Sequence, residues 1–222
     1  MTNFLWGAFP YIAFTFLVVG TLVRFFYFER NWTTKSSEFL EKKQLRIGNP
    51  LFHLGLLMVI GGHVVGVLVP KICTEYFGIN EHMYHQGALW MGVPAGIILL
   101  LGFIILMRRR FTVSYMKANT STMDRWLYLF LAIAIVAGLA STIWNAPGQF
   151  DYRESIGPWF RGLLYWNPEP SLMDNVPILF KIHMVSWMIV AILFPFTRLV
   201  HCLSLPFQYL TRANIVYRRR DQ

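Results

Sequence analysis

His53 and His63 sit in the apolar run Asn49–Val69, and His183 and His201 lie in and just after the run Ile178–Val200. An ionisable side chain is costly inside a bilayer, and where one occurs it marks a candidate functional site. Imidazole is also a strong axial ligand for haem iron. Two histidines on each of two membrane segments form a set that could hold two haems.

The spacings make the idea specific. His53 and His63 are ten residues apart, about 15 Å of helical rise and roughly 80° around the axis. His183 and His201 are eighteen apart, which on a continuous helix is five turns, one face and about 27 Å. The two segments should run in opposite directions, so His53 faces His201 and His63 faces His183. The unequal rises require tilt and a kink at Pro195. The plainer alternative is a set of interhelical hydrogen bonds. A single zinc ion usually wants three or four protein ligands, and four histidines split between two leaflets do not gather on one ion. Met58 and Met188 are other conceivable axial ligands but read as core filler.

Gly55, Gly61, Gly62 and Gly66 surround the first histidine pair. They would admit a flat macrocycle or another helix, with Gly62 and Gly66 at the i, i+4 spacing of small-residue packing. His82 and His85 fall at the start of the third apolar segment, at the membrane–water boundary. A histidine there can take up a proton near neutral pH, as a quinol site would need, or can be an ordinary interfacial residue. Arg110 and Arg198 end helices. They read either as snorkelling cations or as partners for haem propionates, which pair well with guanidinium. Lys181 brackets the fifth helix in the same way.

These residues need a membrane scaffold, and the composition supplies one. Of the 222 residues 55% are hydrophobic and 14% are charged, against roughly a quarter charged in soluble domains. Helices are predicted at about 6–28, 49–69, 84–107, 126–144 and 178–200, each near the ~20 residues that cross a bilayer. The fold class is therefore an all-α membrane protein, a single domain of five transmembrane helices. The connection Asn145–Pro177 is the longest and least apolar.

A net charge of +9 does not here mean nucleic acid, because the charge is segregated. Arg30, Lys35, Lys42, Lys43 and Arg46, then Arg108, Arg109, Arg110, Lys117 and Arg125, then Arg212, Arg218, Arg219 and Arg220 all fall on one side. Lys71, Arg153 and Arg161 fall on the other. The positive-inside rule puts the N-terminus outside and the C-terminus in the cytoplasm. The basic face would meet anionic lipid or an acidic partner. Met1–Asn3 lacks the basic start of a cleavable signal. Cys73 and Cys202 are expected on opposite sides and so unpaired. There is no C-x-x-C-H or cysteine cluster for covalent haem or iron–sulfur ligation.

At this point the sequence resembles a known family. Thr34–Glu38, LFHLGLL at 51–57, GGHVVG at 61–66, EHMYH at 81–85, GPWFR at 157–161 and above all PFTRLVHCLSLPFQYLTR at 195–212 resemble the membrane-anchoring dihaem cytochrome b (gamma) subunit of respiratory nitrate reductase. The resemblance covers nearly the whole chain. EKKQLRIGN, HMYH and FDYRESIGPWFR look most like Gram-positive, Bacillus-type members.

The resemblance implies two haems b between helices two and five, His63 and His183 holding the outer, distal one and His53 and His201 the inner, proximal one. It implies oxidation of quinol, of the menaquinol class, near the outer face, with His85, His82 and Gly62 as candidate quinol-site residues. Some members carry a lysine near the start of helix three, where this chain has Met83, Tyr84 and His85. Electrons would pass to an iron–sulfur (beta) subunit and then to a molybdenum (alpha) subunit that reduces nitrate. The setting would be the cytoplasmic membrane, with the tail 201–222 docking the partners. A cytochrome b anchor of another quinol-linked complex, of the hydrogenase or heterodisulfide-reductase-like kind, is the nearest alternative. A haem-free transporter or scaffold is the more distant one.

Overall fold

The computed structural model describes residues 2–28 and 41–203, and every regular element among them is helical. Five helices are long and apolar enough to cross a membrane. They are α1, Phe4–Tyr27, α2, Lys43–Leu68, α4, Glu81–Thr112, α6, Thr122–Trp144, and the span Ile178–Phe196, whose helical part is α8, Ile178–Leu193. Short helices α3, Lys71–Tyr76, α5, Ser114–Ala118, and α7, Ile156–Leu164, lie between them.

Helix boundaries differ from the sequence expectation for local reasons. The expected start of α2 at Asn49–Pro50 is not a start: the helix begins at Lys43 and carries Pro50 within it. Helix α4 extends at both ends, to 32 residues. Its N-terminus is fixed by Asn80, whose Oδ1 accepts the Met83 amide at 2.9 Å, and it continues through Arg108–Arg110. At 1.5 Å per residue it is about 48 Å long, well beyond a hydrocarbon core of about 30 Å, so its ends must stand in the interfaces. Helix α6 opens with a full capping box: the Asp124 amide donates to Ser121 Oγ, and the Ser121 amide to Asp124 Oδ2.

The largest correction concerns the fifth span. It does not run unbroken to Val200 with a kink. The α-helix stops at Leu193, Phe194–Phe196 form one 3-10 turn, Thr197 is extended, and Arg198–Leu203 form another 3-10 turn. Pro195 lacks an amide hydrogen and cannot continue the ladder. Helix α1 accommodates the break. A Cβ on Gly20 would lie 2.8 Å from the Pro195 ring. Arg24 Nη1 donates to the carbonyls of Pro195 and Thr197 at 2.6 and 2.8 Å, groups that a continuing helix would have satisfied.

Packing is closest between α2 and α4 and between α6 and α8. The first crossing depends on glycine. A Cβ on Gly55 would lie 2.5 Å from the Leu99 nitrogen, and one on Gly102 would overlap the Phe52 backbone. Around this contact Leu99, Phe103, Leu131 and Ile135 form one buried cluster. A second forms where α7 folds back under the loop. Trp159 is buried against Trp6, with ring centroids 5.7 Å apart, and its Nε1 donates to the Trp6 carbonyl at 2.8 Å. The long connection expected between α6 and α8 is thus a structured cap. It ties α1 to the end of α2, with Tyr11 donating to the Leu163 carbonyl and Arg161 Nη1 to the Val67 carbonyl at 2.6 Å.

Candidate functional site

The four membrane histidines meet as two separate pairs. The rings of His63 and His183 have centroids 5.8 Å apart, and those of His53 and His201 are 6.4 Å apart. The first histidine of α2 therefore pairs with the second of the α8 segment, and the second with the first. Among the described residues, no three or more His, Cys, Asp or Glu side chains converge as ligands for one metal ion.

Each ring is held by the same nitrogen. Nδ1 lies 2.9 Å from the Asn49 carbonyl in His53, 2.7 Å from the Val59 carbonyl in His63, 2.7 Å from the Ala134 carbonyl in His183 and 2.6 Å from the Arg198 carbonyl in His201. A carbonyl only accepts, so Nδ1 must carry the proton and donate it. In neutral imidazole that leaves Nε2 as the acceptor with a free lone pair. This is the second-shell arrangement usual for a metal-ligating histidine, which donates its other N–H to a carbonyl or carboxylate. No hydrogen bond joins the two rings of either pair.

Ring separation tests whether these pairs suit haem iron. A metal–imidazole bond is about 2 Å long and the ring centre lies about 1.1 Å behind the ligating nitrogen, so two imidazoles facing across one iron have centres about 6.2 Å apart. Both observed separations are close to that value, and the residues fit bis-imidazole ligation of two haems. They fit a hydrogen-bonded histidine pair less well, since each Nδ1–H is already spent on backbone.

Neighbouring residues explain how the rings come to face each other. His183 reaches across to α6 because Gly138 offers no side chain: a Cβ there would lie 2.8 Å from the ring. One turn earlier in α6 is Ala134, whose carbonyl takes the Nδ1 proton. His201 is positioned through Arg198, whose Nε donates to Asp124 Oδ2 at 3.0 Å and whose Nη2 donates to the Asn119 carbonyl at 2.6 Å. Arg24, Gly138, Ala134 and Asp124 were not among the sequence candidates. Only Asp124 carried a readable signal, the Ser-x-x-Asp capping pattern before an apolar run.

The other sequence candidates are placed as follows. Arg198 is committed to Asp124 and Asn119. Arg110 lies over the Tyr128 ring at 5.9 Å, and its buried Nη1 has no hydrogen-bond partner. Such an orphaned donor suits a carboxylate, so of the two arginines Arg110 better fits a propionate. Lys181 donates to the Asp174 carbonyl. Gly55 serves helix packing. At Gly61 and Gly62 a Cβ would meet no atom of the described residues within 4 Å, so the small-residue packing alternative at Gly62 is not found. His85 Nε2 lies 3.1 Å from the Ala146 carbonyl and donates to it, leaving Nδ1 as acceptor. His82 is exposed at the same end. Cys73 and Cys202 are free thiols.

Fold and site together define a membrane-spanning helical protein that pairs two histidines of α2 with two of the α8 segment. The sequence matches the nitrate reductase gamma subunit family over residues 2–220. It is 46% identical to the nitrate reductase gamma chain of Bacillus subtilis (strain 168), over 98% of each chain. It is 31% identical to the respiratory nitrate reductase 2 gamma chain of Escherichia coli (strain K12), over 98% of this chain and 96% of the relative. It is also 39% identical to the nitrate reductase-like protein NarX of Mycobacterium tuberculosis (strain ATCC 25618 / H37Rv), where it spans only 34% of the longer relative. The chain belongs to the nitrate reductase gamma subunit family.

Proposed function

We propose that this chain is the membrane-anchoring cytochrome b subunit of a respiratory nitrate reductase. In this reading it accepts electrons from a quinol of the menaquinol class at the outer face. It delivers them to an iron–sulfur (beta) partner, and a molybdenum (alpha) partner reduces nitrate in the cytoplasm. The observation that carries the reading is the pair of histidine pairs, each ring donating Nδ1–H to backbone and each pair with ring centroids at a separation compatible with one iron.

His63 and His183 would hold the outer, distal haem and His53 and His201 the inner, proximal one. When bound, two haems b supply one-electron relay positions along the membrane normal. The chain's contribution is to fix ligand orientation and local polarity, the levers by which a protein tunes such a group. The carbonyls of Asn49, Val59, Ala134 and Arg198 raise the basicity of the ligating nitrogens. Arg110 supplies a buried cation for a propionate near the inner pair, and Arg198 holds the turn that carries His201.

The orientation rests on charge. The end bearing Arg108, Arg109, Arg110 and Arg125 is assigned to the cytoplasm by the positive-inside rule, and the end capped by α7 to the outside. Quinol oxidised there, beside His63 and Gly62, would release its protons outward. His85, with Nδ1 free, is the proposed proton acceptor, and His82 stands beside it at the surface. Each electron moved inward across the full membrane stores about 2.3 kcal/mol per 100 mV. The tail from 204 onward, outside the described residues, is proposed to dock the partner subunits.

The test is kinetic and uses the assembled complex. Replacing His63 or His183 should abolish nitrate reduction driven by quinol while leaving reduction driven by an artificial dye donor to the soluble subunits intact. Undiminished quinol-driven turnover in both variants would overturn the assignment.

A further inference from the structure

One turn outward from the His63–His183 pair, two tyrosine hydroxyls meet. Tyr84 and Tyr152 hydroxyl oxygens are 3.2 Å apart. Two independent contacts fix their level. Gly66, three residues after His63, lies against both hydroxyls, and a Cβ on it would sit 2.8 Å from the Tyr84 hydroxyl oxygen and 3.6 Å from that of Tyr152. Phe180, three residues before His183, packs on the Tyr152 ring with centroids 6.4 Å apart. Gly66 therefore lies against the hydroxyl pair and Phe180 against the Tyr152 ring, each three residues, about 4.5 Å of rise, nearer the outer surface than the histidine on its own helix.

A third group is buried beside them. Arg153 is 3% exposed. Its guanidinium lies 3.9 Å over the Tyr84 ring, its Nη2 donates to Thr74 Oγ1 at 2.7 Å, and its Nη1 reaches Glu81 at 3.5 Å. Its Nε has no hydrogen-bond partner. A buried guanidinium N–H left unmade is costly, and native structures rarely leave one without a purpose.

We infer that the Tyr84–Tyr152 hydroxyl pair, with Arg153 behind it, is the hydrogen-bonding end of the quinol head-group site. The inference rests on the quinol-oxidising reading above and names where in the outer end the ring oxygen is held. The chemistry matches both forms of the ligand. A phenolic hydroxyl can donate or accept, so the pair accepts from a quinol O–H and donates to a quinone carbonyl by turning its own hydrogens. Arg153 only donates, and so favours the oxygen as it loses its proton and gains negative charge. The site would also explain why glycine stands at position 66: a side chain there would push the hydroxyls out of place.

The test uses the purified complex, a short-chain naphthoquinol as donor and a fluorescent hydroxyquinoline N-oxide as a quinol mimic. Tyr84→Phe and Tyr152→Phe should each raise KM for the naphthoquinol and weaken binding of the mimic about tenfold, equivalent to one hydrogen bond of about 1.4 kcal/mol. Haem content and dye-driven nitrate reduction should stay at wild-type values. Gly66→Ala, which displaces the Tyr84 hydroxyl without removing it, should shift both readings in the same direction. Phe variants that keep haem and match wild type in KM and mimic affinity would overturn the tyrosine assignment and leave the quinol reading standing. A wild-type complex that binds no mimic and takes no electrons from the naphthoquinol would overturn both.

Discussion

Asp124 and Arg198 join two parts of the chain that are 74 residues apart: one carboxylate oxygen closes the capping box of α6 and also receives Arg198 Nε at 3.0 Å. Arg198 in turn orients His201 through its carbonyl. The His53–His201 pair is thus held by a helix cap. Asp124→Ala removes the cap bond and the ion pair together. A hydrogen bond to a charged group contributes about 1.5–3 kcal/mol, and the expected result is loss of one haem per chain, the one held by His53 and His201. Haem quantification with the pyridine haemochrome assay checks it; two haems per chain in the variant would show that the cap does not hold the site.

Arg24 is the second support of the same turn. Arg24→Ala leaves the Pro195 and Thr197 carbonyls without this donor, at about 1–3 kcal/mol for each buried group left unsatisfied. The thermal midpoint of the purified complex should fall, and the inner haem should be lost at lower temperature than the outer one. Arg24→Lys, with a single charged point in place of a fork, should recover only part of the loss. Heating monitored at the Soret band reads both.

Gly138 lies against the His63–His183 pair. An alanine there would place a methyl group 2.8 Å from the His183 ring and should break the Nδ1 bond to Ala134. The expected effect is loss of the haem held by His63 and His183, or an upward shift of its potential as the ligand loses basicity, with the other haem unchanged in a potentiometric titration. Gly55→Ala should behave differently. It forces α2 off the Leu99 backbone and should lower stability without selecting between the haems.

At the end capped by α7, Lys71 lies 2.8 Å from Glu154, 3.2 Å from Asp151 and 3.4 Å from Glu81. The hydrogen bond it donates to Glu154, followed by that to Asp151, holds its ammonium above the ordinary lysine range. Burial, followed by Tyr84, likewise raises the Tyr152 hydroxyl. Both groups keep their protons in the folded protein at a pH where the unfolded chain has begun to lose them, roughly 10 and above. The folded state then binds more protons, so stability falls as pH rises through that range. Neither group contributes a slope near neutrality. Chemical denaturation between pH 8 and 11 should show the decline, and Lys71→Met with Tyr152→Phe should flatten it.

The histidine pairing was legible in the sequence because membrane segments give imidazoles few places to go, and antiparallel helices fix which meets which. The mismatch between ten- and eighteen-residue spacings was also visible, yet its resolution was not. Pro195 announced a disturbance, but whether it would kink or end α8 depended on Gly20 and Arg24 of a distant helix. Helix ends were misjudged where polar residues continue a helix past the bilayer, as Lys43–Gly48 and Arg108–Thr112 do. The loop cap was missed because α7 is nine residues long, too short to show a period, and its burial comes from Trp6. Arg153 read only as a charge on the less basic side, and nothing in the sequence set it or Tyr152 against Tyr84.

The most direct test of the central claim is a dithionite-reduced minus oxidised optical spectrum of the purified subunit in detergent, with haem quantified per chain. Two b-type haems per chain, falling to one in His63→Ala and to one of a different potential in His53→Ala, is the predicted result. A folded, haem-supplied preparation with no haem, or with both haems retained after either substitution, would contradict it.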